Sequence, residues 1–382
     1  MDLNLTEEQK MIRETAHDLA LLELGPRAEE ADGYYLFPWD GVRQLAEAGL
    51  MGMLLPPPYG GSGADTLSFV LAAEELAQGC ANTALVFVTH VAASRGVLIG
   101  GQDPLKGELL PLLAKGEKLL GFAATEADSG ANPIAIQTTA KLDGDHYVVN
   151  GSKIYITGVE EMHYYLTVLR TAPGPGPAGL SALIIEKDIP GFSTGRKFLR
   201  LGMNGTASGE LFFADCSVPR GHLVGEEGNY LPLGFAVGTV AVLGASAIAV
   251  GLAQAALDAT LQHGKQRVIA GQPLGNYQAV QLMVAEMSVA VEAARNLLYG
   301  AVFAVDNAPP GPPIAAMKAK LFCTEMALQV IDKALRVHGG QGYTKEFPLE
   351  RYYRDARGLT LHFTPTEMLK AQLGQMLMGL MP

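Results

Sequence analysis

The stretch TTAKLDGDHYVVNGSKIYIT, residues 138–157, carries a different periodicity from the chain on either side of it. Thr138–Lys141 and His146–Val149 are short β-favouring runs around Asp143-Gly144, a hairpin turn signal. Asn150-Gly151 is a second turn signal and leads into a further run, Lys153–Thr157. Outward from there, Tyr164–Arg170, Leu180–Glu186 and Glu210–Phe213 are also strand candidates, so residues 119–229 are expected to form a β domain.

Both flanks are helical in period. Residues 1–118 begin with Thr6 and Gln9 at capping-box spacing, followed by Met11, Ile12, Ala16 and Leu19. Pro56–Gly63 breaks the pattern before a second helix over Leu67–Gln78. Residues 230–382 hold long helical stretches at Leu252–Leu261, Ala279–Val305 and Ile314–Val337, with NAPPGPP (307–313) as a connector. Thr364, Pro365 and Glu367 have the order of N-cap, first position and third position of a last helix. Strands and helices are segregated, which predicts an α+β, mainly α, protein: an N-terminal helical domain, a central β domain and a C-terminal four-helix bundle. The lone G-x-G-x-x-G match, Gly174–Gly179, contains prolines and reads as a surface loop rather than a dinucleotide fingerprint.

Composition narrows the function. The 382 residues carry a formal charge of −11, which argues against nucleic acid as a partner. Cys80, Cys216 and Cys323 are too far apart for metal-ligand spacing and fit a cytoplasmic location. The polar start, Met1–Lys10, does not read as a signal peptide. Leu231–Leu257 has no charged residue, a length that could span a bilayer. Its glycines, Pro232 and Gln254, and the absence of an aromatic belt, favour a helix buried inside the protein, so no membrane span is expected.

Five segments in order resemble the acyl-CoA dehydrogenase family: Gly121-Phe-Ala-Ala-Thr-Glu126, Asn150-Gly-Ser-Lys-Ile-Tyr-Ile-Thr157, Gly251-Leu-Ala-Gln254, Val337-His-Gly-Gly-Gln-Gly-Tyr343 and Arg351-Tyr-Tyr-Arg-Asp-Ala-Arg357. The resemblance spans essentially the whole chain. It implies FAD held between subunits of a homotetramer, or of a tetramer with a homologous subunit. It also implies an acyl-CoA or acyl-carrier-protein thioester as substrate and an electron-transfer flavoprotein as electron acceptor. Carried over to this sequence, Phe122, Ala124, Thr125, Tyr155, Ile156 and Thr157 form the flavin platform. Thr125 matches a hydroxyl on the pyrimidine edge, Tyr155 the aromatic that shields the ring, and Thr157 a hydroxyl near N5. Arg267 resembles the arginine that reaches a neighbouring subunit's pyrophosphate, and Gly339 and Gly340 allow close backbone approach. Taken singly, each residue has a plainer reading: a strand or turn hydroxyl, a half-buried strand tyrosine, a solvated helix-end charge, a helix stop.

The sequence departs from the family where the chemistry lies. Phe363 occupies the position of the base, and the alternative base position, on the first bundle helix, is Ala241. Val242 replaces an arginine there, Ala131 replaces a serine of the substrate loop, and Thr364-Pro365 replaces Gly-Thr. The catalytic residue is therefore unknown from sequence. His362 is the replacement candidate, as a group able to titrate near neutrality, against the plainer reading of a packing residue. His90 is placed at the substrate channel, and Glu367 is read as a cap partner. The expected activity is α,β-dehydrogenation of an acyl thioester with altered chemistry. The alternatives are a non-catalytic or FAD-holding partner subunit, and a lyase or desulfinase using the same flavin site.

Overall fold

The computed structural model describes residues 4–130, 132, 135–174, 176–307 and 311–380; Ala131 lies outside them. The N-terminal third is helical: α1 (Glu7–Asp18), continued by a π-helical stretch Leu19–Leu24 into α2 (Gly25–Gly33), then α3 (Trp39–Glu47), α4 (Thr66–Gly79), α5 (Ala81–Gly100) and α6 (Asp103–Ala114). The capping box forms as expected: Gln9 N–H donates to Thr6 Oγ1 at 3.2 Å and Thr6 N–H to Gln9 Oε1 at 3.0 Å.

The middle third is one eight-stranded sheet. Its strands are β1 (Leu120–Ala123), β2 (Thr139–Asp143), β3 (His146–Ile156), β4 (Tyr164–Arg170), β5 (Leu180–Glu186), β6 (Phe192–Lys197), β7 (Gly209–Pro219) and β8 (Leu223–Val224). The order is β6-β7-β3-β2-β4-β5-β8, and β1 and β2 lie end to end along one edge of β4, opposite 164–167 and 170 respectively. The Asp143-Gly144 turn joins β2 to β3, with Asp143 facing His146. Asn150-Gly151 does not turn. β3 runs through it with a bulge, and Gly151 has φ +143° with its α-carbon against Thr138, where any Cβ would come within 2.6 Å of the Thr138 hydroxyl.

The C-terminal third contains α7 (Leu231–Gln266), α8 (Gln278–Asp306), α9 (Ile314–His338), α10 (Leu349–Leu359) and α11 (Thr366–Leu377). The uncharged run is the first part of α7, which packs against α4, α5, α8, α9 and α10. Residues 240–253 of it are all buried, which explains their composition without lipid, whereas 231–239 are partly exposed. Three helices among the described residues, α5, α7 and α8, are long and apolar enough to cross a membrane; α5 and α7 are largely covered by the fold, α8 much less.

The Gly251–Gln254 motif is structural. A Cβ at Gly251 would lie 2.1 Å from the Glu74 carbonyl, so glycine sets the approach of α7 to α4. Gln254 Oε1 accepts from Arg295, whose Nε donates to Glu74 at 2.7 Å. The last helix corrects the sequence reading. α11 starts at Thr366 after Pro365, with no side-chain cap, and Thr366 N–H is satisfied by the Thr360 carbonyl at 2.9 Å, so Thr364 does not cap it.

Candidate cofactor and substrate site

The first two family-like segments come together through β1 and β3. Ile154 N–H donates to the Thr125 carbonyl at 2.9 Å. Beneath that contact lies a buried ion pair: Lys153 Nζ to Glu126 Oε1, 2.7 Å, with Lys153 also donating to the Ala124 carbonyl at 3.0 Å. Glu126 further accepts from the N–H groups of Gln137 (2.6 Å) and Thr138 (3.0 Å), pinning the loop that leads to β2. Burial drives Lys153 down to about 8, against the pull of Glu126. Burial alone would raise Glu126, but Lys153 and the donors hold its carboxyl below the ordinary range. Both residues lie in the family-like segments 121–126 and 150–157, where the resemblance implies no role for either. Lys153 lies in a β-favouring run, but Glu126 lies outside every such run and 27 residues away, so no local pattern joins them.

This scaffold presents a receptive face. Tyr155 is 63% exposed at φ +59°, in the bulge where β3 and β7 shift register. Its ring packs on Phe198 at 4.9 Å, and the Arg196 guanidinium lies over Phe198 on the same strip. Phe122, Ala124, Thr125 and Thr157 are half-buried, whereas the Ile156 side chain belongs to the core, leaving only its backbone for a ligand. Among the described residues neither the Thr125 nor the Thr157 hydroxyl has a hydrogen-bond partner. Two free hydroxyls beside an exposed ring fit the edge and face of a planar heteroaromatic group.

A second receptive place lies in the C-terminal region. A cavity of about 550 Å³ is lined by His263, Arg267, Val280, Met283, Arg336 and the 337–341 segment. Gly339 (φ +61°) and Gly340 border it, and a Cβ on either would meet only open space. The platform residues do not line this cavity, so a single chain does not bring Arg267 and Thr157 to one site.

The turn holding Phe363 is locked from below. Lys320 of α9, fully buried, donates to the carbonyls of His362 (2.7 Å) and Thr364. Burial without a carboxylate partner drives this lysine down to about 7. Phe363 has φ +62°, a backbone conformation that costs a bulky residue about 1–3 kcal/mol. His362 Nδ1–H donates to the Gly358 carbonyl at 2.7 Å, and burial pushes the imidazole down to about 4. The Arg351–Arg357 segment anchors this turn. Arg354 pairs with Asp32 (2.6 Å) and Glu350 (2.7 Å), and buried Asp355 accepts from Met203 N–H at 2.6 Å. Burial raises Asp355 to about 7. Thr206 and Ala207, on the same loop as Met203, accept from Gly158 and Val159, so one loop ties the base segment to the platform.

Two expectations change. His90 is fully buried, with Nε2 on the Leu113 carbonyl (3.1 Å) and Nδ1 on Leu120 N–H (3.2 Å). Both nitrogens serve the backbone, so His90 is a core residue and not a substrate contact. Val242 is likewise buried in the helical core, with Ala241 beside it.

Comparison with known proteins assigns the family. The acyl-CoA dehydrogenase N-terminal, middle and C-terminal domains match residues 6–117, 121–216 and 240–378. The chain belongs to the acyl-CoA dehydrogenase superfamily. It is 37% identical over 380 residues to the acryloyl-CoA reductase (NADH) of Anaerotignum propionicum, covering 99% of this chain and 96% of that protein. Butyryl-CoA dehydrogenase from Megasphaera elsdenii superposes with a TM-score of 0.95 at 32% identity, covering 99% of this chain and 100% of that one. The FAD complex of PigA gives a TM-score of 0.93 at 26% identity, over the full length of both chains. FAD is accordingly the cofactor of this acyl-CoA dehydrogenase-like oxidoreductase, and the free hydroxyls, exposed Tyr155 and glycine-bordered cavity fit it.

Proposed function

We propose that this protein acts on an acyl thioester with α-proton removal suppressed at Phe363. The observation that carries the reading is the turn at 362–364, where a phenyl ring stands in strained backbone at the position that resembles the family's base. Bound FAD supplies the hydride acceptor. The chain's own part is to fix the thioester and carry the α proton. A phenyl ring cannot accept a proton. Lowering His362 from 6.5 to about 4 weakens it as an acceptor by roughly two to three powers of ten relative to free imidazole. Lys320 has a suitable pKa of about 7, but it is fully buried and donates to two carbonyls. Loss of a base slows such a step by about 10²–10⁴-fold.

The thioester carrier is CoA or an acyl carrier protein, and the electron acceptor an electron-transfer flavoprotein. Three buried free cysteines agree with a reducing cytoplasm. The separation of Arg267 from the platform favours a cofactor shared between subunits of a tetramer.

The test is anaerobic mixing of the purified flavoprotein with butyryl-CoA, followed at the flavin absorption band beside an ordinary relative. Bleaching should be slower by two to four powers of ten, and Phe363→Glu should recover part of the rate. Rapid stoichiometric bleaching of wild type refutes the suppressed-base reading. A colourless protein that takes up no FAD supports a non-catalytic partner subunit instead.

A further inference from the structure

We propose that Asp355 is a positioning residue for the flavin platform, acting through the loop 198–208 on Tyr155 and on the backbone that follows Thr157. This rests on the reading that Tyr155 and Thr157 face the flavin.

Asp355 lies on α10 and is buried. Its Oδ1 accepts from Met203 N–H at 2.6 Å. Gly202 lets the loop backbone lie against α10, where a Cβ would come within 2.4 Å of the Arg354 carbonyl carbon. Arg354 donates to the Leu201 carbonyl at 3.0 Å, and Gly205 N–H donates to Asn82 Oδ1 at 3.0 Å. The far end of the loop meets the end of β3. The Thr206 and Ala207 carbonyls accept from Gly158 N–H (2.8 Å) and Val159 N–H (2.9 Å). The Ser208 carbonyl accepts from Phe198 N–H at 2.9 Å, and the Phe198 ring packs on Tyr155. One loop thus joins the Asp355 carboxylate to both parts of the platform, the exposed ring and the segment bearing the Thr157 hydroxyl.

Met203 (φ +55°) and Ala207 (φ +44°) are left-handed without being glycine. Such residues keep that backbone only while their surroundings fix it. Met203 is fixed on both sides, its N–H by Asp355 and its carbonyl by Arg200 and Thr206. Without the carboxylate, Met203 N–H is a buried donor lacking its partner, and one of the two constraints on the strained residue is gone. The loop then relaxes, and Gly158 and Val159 move with it.

The carboxylate also titrates. The charged and titratable groups facing it are Asp32 from α2, Cys80 at the end of α4, Arg200 from the loop, and Arg351, Tyr352 and Arg354 from its own helix. Burial, helped by Asp32, outweighs the Met203 N–H and the arginines, and pushes Asp355 up to about 7. Below that pH the carboxyl is neutral, and its bond to Met203 loses the charge that strengthens it; above it the bond is charge-assisted. Asp355→Asn keeps an acceptor of the same shape without the charge, so it matches the protonated state at every pH.

The experiment is hydrogen exchange on the FAD-loaded protein, read at the Gly158 and Val159 amides and corrected for the intrinsic effect of pH, with the flavin absorption band recorded beside it. In wild type both amides should exchange several-fold faster one pH unit below the Asp355 midpoint than one unit above it, and the band should shift with a midpoint of about 7. Asp355→Asn should lose both pH responses and match the low-pH wild type. Asp355→Leu should speed the two amides by about tenfold or more and leave the β4–β5 pairing untouched. Equal speeding of β4 and β5 would mark a general loosening and overturn the positioning role. Unchanged Gly158 and Val159 amides in Asp355→Leu would overturn it too, as would a pH response that survives in Asp355→Asn. The Asn variant decides the matter if the Leu variant does not fold. If the amides respond as expected but the band ignores both Asp355→Asn and Thr157→Val, the flavin half of the proposal is overturned: the loop holds β3, and the flavin does not lie at Thr157.

Discussion

His90 has a folded pKa of about 4 against an ordinary 6.5, because burial disfavours its charged form. Between those values the unfolded chain binds a proton that the folded chain does not. Stability is therefore complete above about pH 6.5 and declines as pH falls toward 4, by up to roughly 3 kcal/mol from this residue. His90→Phe strands the Leu120 N–H, while the Leu113 carbonyl still accepts from Gly116 N–H, so it should cost about 1–3 kcal/mol at neutral pH. It should also make the acid-side loss shallower. Urea unfolding at several pH values measures both, and an unchanged acid slope would show that His90 is not excluded from protonation. Sequence could place His90 on a helix, but not aim it. Its partners lie 23 and 30 residues away, beyond any local pattern. Phe363 is the opposite case. The substitution is legible in the sequence, but its left-handed backbone and the lysine beneath it are not.

Within single elements, β3 shows where local signals fail. Asn150-Gly151 has the chemistry of a turn, yet β7 pairs with β3 on both sides of it and holds it as a bulge. The bulges set up Tyr155, and the straight part between them aims Lys153 at Glu126. A buried pair broken on one side leaves an uncompensated charge, which costs about 3–5 kcal/mol. Lys153→Met should therefore be strongly destabilising, while Lys153→Met with Glu126→Gln should cost clearly less than the sum of the single changes. A double-mutant cycle by chemical denaturation reads the difference. Simple additivity would mean that the two side chains do not support each other and that Glu126 acts only through its loop donors.

For the molecule as a whole, α8 leaves an apolar stripe open. Leu282, Val289, Leu297 and Phe303 are exposed on one face of the helix. Exposed apolar side chains aligned on one helix face mark a contact between proteins, and here a second copy is the expected occupant. Val289→Glu should lower the assembly state measured by light scattering and, on the proposed sharing of FAD between subunits, reduce FAD retention. An unchanged assembly would move the interface elsewhere. The sequence alone determined the helix–strand–helix order, most strand positions and the family's site segments, because periodicity and turn chemistry are local properties of the chain. It also showed that residue 363 cannot be a base. Tertiary structure decided the rest: that residues 240–253 of α7 are apolar because they are buried among other helices, that Lys153 and Glu126 meet, that His90 belongs to the core, and that Arg336 and His338 share a cavity with Arg267. These depend on desolvation and on contacts between distant parts of the chain, and burial exists only once the chain has folded around a residue.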